Sequence, residues 1–144
     1  MSVAAAMPPD AGPPVPTRYQ SFLAFDFGRK RTGVASGNRL LAHATPQGTI
    51  AAEGDARFAQ IDKRIREWQP DALVVGVPFH PDGAPHENTR AAQRFARQLE
   101  GRFGLPVYRV DERYSTTEAL AAGARDPDAA SACIILEQFL RSLP

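Results

Sequence analysis

SFLAFDF, residues 21–27, is apolar apart from its first residue and Asp26, a pattern that predicts a strand covered on both faces. The GRK turn at 28–30 and RTGVAS at 31–36 follow closely, so the second strand pairs antiparallel with the first. Residues 39–50 carry enough Leu, Ala, Thr and Ile for a third, less regular strand ending near Gly48. The period then changes. Phe58, Ile61, Ile65 and Trp68 recur at helical steps, which predicts a helix over 55–68 that Pro70 closes. DALVVGVP at 71–78 reads as a buried strand, and 79–86 as a loop with Pro81, Gly83 and Pro85. A second helix spans 87–100, with Ala92, Phe95 and Leu99 inward, and Gly101 and Gly104 break it. Its Arg90, Arg94 and Arg97 form a solvated face. LPVYRVDE at 105–112 is the last strand; its leading Pro and mid-strand Arg109 make it less central. Ser115 and Glu118 form a capping box for a short helix to Ala122, which Gly123 ends. Asp126 and Pro127 then start a final helix running to Leu140.

The order β-β-β-α-β-α-β-α-α predicts an α/β fold: a mixed five-stranded sheet, antiparallel meander first and parallel strands after, with helices on both faces. Ribonuclease H-like folds share this order. A chain of 144 residues holds one such domain, placed at 18–144. Residues 1–17 hold five of the thirteen prolines and one charge, Asp10, and read as a disordered leader or, given the second Met at position 7, as the product of a start codon placed too early.

Composition narrows the chemistry. The net charge of +1 excludes a strongly basic coat but permits a basic patch beside an acidic centre. One cysteine, Cys133, allows neither an internal disulfide nor a cysteine zinc cluster, and reads as core filler. The expected location is cytoplasmic, with no membrane association: no apolar run reaches the roughly 18 residues of a membrane span.

Three acids stand in unusual places. Asp26 shares a strand face with Phe22 and Ala24, where an ionised carboxylate is costly unless it is paired or bound to a metal. Asp111 and Glu112 end the last strand on opposite faces. Glu112 goes with Tyr108 and Val110 toward the buried side, and Asp111 is matched with Arg109 as a surface pair. Asp128 tops the stripe of Ala132, Ile135 and Phe139 on the last helix. Each alone has an ordinary alternative: a turn cap, a solvated strand end, a helix-start acid. Together they offer the oxygen cage that Mg2+ or Mn2+ prefers and that phosphodiester hydrolysis uses.

Four segments, in order, resemble blocks of the YqgF/RuvX family: DFGRKRTGVASG at 26–37, EWQPDALVVGVPFHPDG at 67–83, DERYSTTEA at 111–119 and DPDAASACIILEQFL at 126–140. The resemblance covers about residues 19–141. It implies a ribonuclease H-like fold and a metal-dependent nuclease that matures the 5′ end of 16S rRNA, on RNA or a pre-ribosomal particle. An older reading of the same family has four-way, branched DNA as substrate. Carried across by motif, the catalytic and metal-binding acids are Asp26, Glu112 and Asp128. Gly28 and Gly33 match glycines of the first block and suit a tight hairpin and close approach of substrate. Unlike many relatives, this chain has only a short connection, residues 123–127, before Asp128, which puts in doubt any substrate contact carried there.

The remaining residues are weighed against that reading. Arg29, Lys30 and Arg31 follow Asp26 and would contact phosphates, as would Arg113 after Glu112. Gly76 would bring backbone close to the cleft. His80 and His86 lie in a loop that substrate could reach, and Tyr114 is the better stacking candidate than Trp68. A junction resolvase would need a symmetric dimer, whereas the sequence shows no dimer face and suggests a monomer or weak homodimer. A non-catalytic ribosome-assembly protein that binds RNA is the third reading. An actin-like ATPase would need a second lobe that this length does not hold.

Overall fold

The computed structural model describes residues 14–80, 82–112, 121 and 123–144. Five strands form one sheet: β1 (Ser21–Phe27), β2 (Thr32–Asn38), β3 (His43–Ile50), β4 (Ala72–Val77) and β5 (Val107–Asp111). Their order is β3-β2-β1-β4-β5. β1 with β2 and β2 with β3 run antiparallel, while β1 with β4 and β4 with β5 run parallel. The edge position of β5 agrees with its Pro and Arg. The short helix expected at 115–122 lies, but for Ala121, outside the described residues.

Helices α1 (Gly54–Trp68) and α2 (Thr89–Phe103) cover one face of the sheet, and α3 (Pro127–Arg141) covers the other. The apolar strands supply both cores by alternation. Leu23, Phe25, Leu73 and Val75 pack with Phe58, Ile61, Phe95 and Leu99. Phe22, Ala24, Ala72 and Val74 pack with Ala132, Ile135, Leu136 and Phe139. Val15, inside the stretch read as leader, packs against the second cluster.

Two element readings change. Gly101 does not break α2: the helix runs on to Phe103 and ends at Gly104, whose positive φ of 66° forms the left-handed cap. Trp68 ends the apolar stripe of α1 but is 41% exposed. It lines a shallow cleft of about 370 Å³ with Leu41, Ser36 and Thr45. Arg109 pairs with Glu100 of α2 at 3.1 Å, a partner that the strand pattern did not name.

Pro at the first turn of α3 follows the N-cap Asp126, whose carboxylate accepts from the Ala129 N–H at 3.1 Å. The same oxygen accepts from the Thr49 hydroxyl at 2.6 Å, which ties the start of α3 to β3.

Candidate functional site

The predicted acids belong to element ends at one end of the sheet. Asp26, half-buried, is the second-last residue of β1 and lies on the α3 face, in register with Gly33 of β2. β1 and β4 pair up to Phe25 opposite Val75, so Asp26 stands one step further on, beside Gly76. The Glu112 N–H donates to the Val77 carbonyl at 3.0 Å and extends the β5 ladder by one residue. Its carboxylate folds over Gly76: a Cβ on that glycine would lie 2.4 Å from Oε2 and 2.6 Å from the Ile135 methyl carbon. Glu112 therefore reaches across β4, the strand that separates β5 from Asp26.

Asp128 enters from above. The first turn of α3 sits so close to β2 that a Cβ on Gly33 would be 1.8 Å from the Asp128 carbonyl oxygen. Close approach at Gly33 is thus made by the protein's own helix, and at Gly76 by Glu112 and Ile135. Gly28 serves the tight turn, since a Cβ there would meet the Arg31 carbonyl at 2.5 Å. The tight hairpin expected at Gly28 is present, and Gly33 and Gly76 let α3 and Glu112 come close to β2 and β4.

The basic residues crowd the same end. Arg29, Lys30 and Arg31 are exposed in the turn after β1. Arg31 Nε pairs with the Asp128 carboxylate at 3.1 Å. Arg113 and Tyr114 lie outside the described residues. The loop after β4 holds His80 and His86 with ring centroids 5.1 Å apart. The His86 Nδ1 accepts from the Asn88 N–H, which puts the proton of the neutral ring on Nε2. Arg90, Arg94 and Arg97 are exposed on α2, as the pattern predicted.

Asp26, Glu112 and Asp128 supply carboxylate oxygens, the donors that hard divalent cations take. Gly76 leaves the space that Glu112 needs to join Asp26 on one face. The donor set thus suits such an ion, although among the described residues no three His, Cys, Asp or Glu side chains are gathered closely enough to hold one. Arg31 compensates the charge of Asp128 in this arrangement.

Sequence reasoning missed Arg57. It lies on α1, is 5% exposed, and donates to backbone carbonyls of the turn that follows Asp26. Its signal was an arginine next to Phe58 in the stripe that faces the core. Cys133 is half-buried against the α3-side core, and burial pushes its thiol up to about 11, so it stays protonated near neutral pH.

A mixed sheet in this strand order, with acids at the ends of its central strand β1 and its edge strand β5 and at the start of the covering helix, defines a ribonuclease H-like architecture. The fold is shared with Thermus thermophilus RuvC, solved in complex with a Holliday junction substrate (TM-score 0.51, 15% identity, 86% of this chain and 95% of that one). The sequence pattern of the RuvX family, described as Holliday junction resolvase, matches residues 20–142, and the chain belongs to that family. Among curated relatives, a protein of Polaromonas sp. is 74% identical over 134 residues, 93% of this chain and 97% of its own length. One from Albidiferax ferrireducens is 74% identical over 90% of this chain and 83% of its own. One from Paraburkholderia phymatum is 52% identical over 88% of each. All three carry the name "Putative pre-16S rRNA nuclease". Among the described residues no helix is long and apolar enough to cross a membrane.

Proposed function

We propose that this chain is a divalent-metal-dependent endonuclease that acts on the 5′ side of precursor 16S rRNA, free or within a pre-ribosomal particle. The observation that supports this reading is that Asp26, Glu112 and Asp128 all belong to element ends at one end of the sheet, where Gly33 and Gly76 let α3 and Glu112 come close to β2 and β4. The names of relatives up to 74% identical support the substrate.

Asp26, Glu112 and Asp128 would hold Mg2+ or Mn2+. Such an ion, when bound, lowers the pKa of a coordinated water and neutralises charge on the scissile phosphate. The chain's own residues do the rest. Asp26 presents its carboxylate from the stiff end of a buried strand. Glu112 would offer its carboxylate from over Gly76, where Ile135 also packs. Arg29, Lys30 and Arg31 offer exposed cations to the phosphates beside the cleavage point, and Arg113 is assigned the same role. Arg31, which pairs with Asp128, is exposed enough that it would turn to a phosphate if a cation took over the charge of Asp128.

A resolvase acting on branched DNA is the second reading, favoured by the description of the matched family. One experiment separates the two. A labelled 5′ fragment of precursor 16S rRNA and a four-way DNA junction are incubated with wild-type and Asp26→Asn protein, with and without Mg2+ or Mn2+. RNA cleavage that needs the ion and disappears in Asp26→Asn is the expected result. Cutting of the junction alone selects the resolvase. RNA binding without cleavage, indifferent to Asp26 and to metal, selects an assembly protein and overturns the nuclease.

A further inference from the structure

Among the described residues, Arg57 is the only charged side chain that is buried. Taking a guanidinium out of water is costly, and burial lowers its pKa from the ordinary value while nearby Glu53 opposes that shift. The contacts that offset the cost are specific. Nε donates to the Ala52 carbonyl at 3.0 Å, just before α1. Nη2 donates to the Gly28 carbonyl at 2.9 Å and to the Arg29 carbonyl. The guanidinium carbon lies 4.6 Å from the centroid of the Phe27 ring. One planar group therefore joins the start of α1 to the turn that follows Asp26.

The geometry has a consequence for the turn. With the carbonyls of Gly28 and Arg29 both drawn inward, two consecutive peptide planes are fixed. The side chains of Arg29 and Lys30, whose Cα atoms these planes fix, and of Arg31 next to them remain exposed. A four-residue hairpin tip would otherwise sample many backbone states, and ordering it on a ligand would cost binding free energy. Arg57 cannot itself meet a phosphate while it is 5% exposed.

We propose that Arg57 is a positioning residue for nucleic-acid binding: from inside the fold it presets the backbone of residues 28–30, so that the three exposed cations meet successive phosphates of single-stranded RNA. This rests on the reading of that turn as the phosphate contact. Lysine keeps the charge but lacks the planar fork that reaches three carbonyls, so it cannot replace Arg57.

The test measures binding of a fluorescein-labelled single-stranded 5′ precursor fragment to the full chain over a series of salt concentrations. Wild type, Arg57→Lys and a triple variant with Arg29, Lys30 and Arg31 changed to Ala are compared, with thermal unfolding alongside. Arg57→Lys is expected to fold and to bind about tenfold more weakly at low salt. Its plot of log affinity against log salt should be shallower by about 0.7 to 1.4, the loss of one or two phosphate contacts on a single strand. A purely structural role would lower the folded fraction and leave that slope unchanged. Wild-type affinity and slope in folded Arg57→Lys would overturn the proposal, provided the triple variant binds weakly. A triple variant that binds like wild type instead overturns the reading of the turn. If Arg57→Lys does not fold, trypsin on the wild-type chain decides. Cutting after residues 29–31 as fast as in the free peptide overturns a preset turn, and marked resistance there supports it.

Discussion

Replacing Gly33 by Ala probes the convergence on which the site depends. The added Cβ would lie 1.8 Å from the Asp128 carbonyl oxygen, 2.3 Å from its carbonyl carbon and 3.0 Å from the Ala129 nitrogen. Real contacts of this kind essentially never fall below 3.0 Å, so β2 and the start of α3 must part by about 1.2 Å. Both sides resist. The atoms in the way are backbone, and the helix start is fastened to β3 through Thr49 and the Asp126 cap. Gly33 has no positive φ, so the cost is steric and not conformational. Overpacking of this kind costs about 2–3 kcal/mol, which for a chain near 150 residues lowers Tm by about 4–12 °C. Circular dichroism at 222 nm on heating measures it, and metal-dependent RNA cleavage should fall as well, because Asp128 moves with its backbone. A Gly33→Ala protein that melts within about 1 °C of wild type and cleaves normally would show that α3 does not start against β2.

Two further outcomes follow from named positions. Gly101 lies within α2 with nothing within 4 Å of a Cβ, so Gly101→Ala should raise stability by about 0.5–1 kcal/mol in a denaturant titration, the opposite sign from Gly33→Ala. The Asp71 carboxylate accepts from the Ser21 N–H at 3.0 Å and the Gln20 N–H at 2.7 Å, which holds its pKa below the ordinary value against a smaller opposing effect of burial. Its stabilisation is present above the unfolded pKa of about 3.9 and is lost as pH falls through the lower folded value. Asp71→Asn should accordingly flatten the loss of stability below about pH 4, and an unchanged acid limb would contradict the assignment.

Much of the fold was legible because strand alternation and helical stripes record which face is covered. Phe22 and Ala24 went to one core and Leu23 and Phe25 to the other, as period two requires. Asp126 and Pro127 located the start of α3 because cap chemistry is local. What stayed hidden depends on contacts between distant segments. Arg57 counts as polar in any stripe, so its burial shows only once the carbonyls of residues 28 and 29 lie beside it. Gly101 looked like a helix breaker because propensity ignores packing, and α2 gains enough from Phe95, Ala96 and Leu99 to carry a glycine in its last turn. The pairing of Arg109 with Glu100 was out of reach because Glu100 lies on the helix before, nine residues away in sequence.

The choice of Glu112 over Asp111 shows how the two kinds of information combine. In the parallel ladder Val110 stands opposite Gly76 and Asp111 opposite Val77. Val75 belongs to the α1–α2 core and Val74 to the α3 core, so parity sends Gly76 and Glu112 to the α3 face, where Asp26 lies. A slip of one residue in β5 would present Asp111 instead. Parity is readable from the sequence, but it delivers only a direction. A carboxylate on an edge strand still has to cross a neighbouring strand to reach an acid on the third. The glycine at 76 makes that crossing possible, because any side chain there would occupy the position that Oε2 takes. The position of the Glu112 carboxylate over β4 is therefore specified jointly by the register of β5 and by the missing side chain at Gly76, and neither alone would bring it to the face that Asp26 shares.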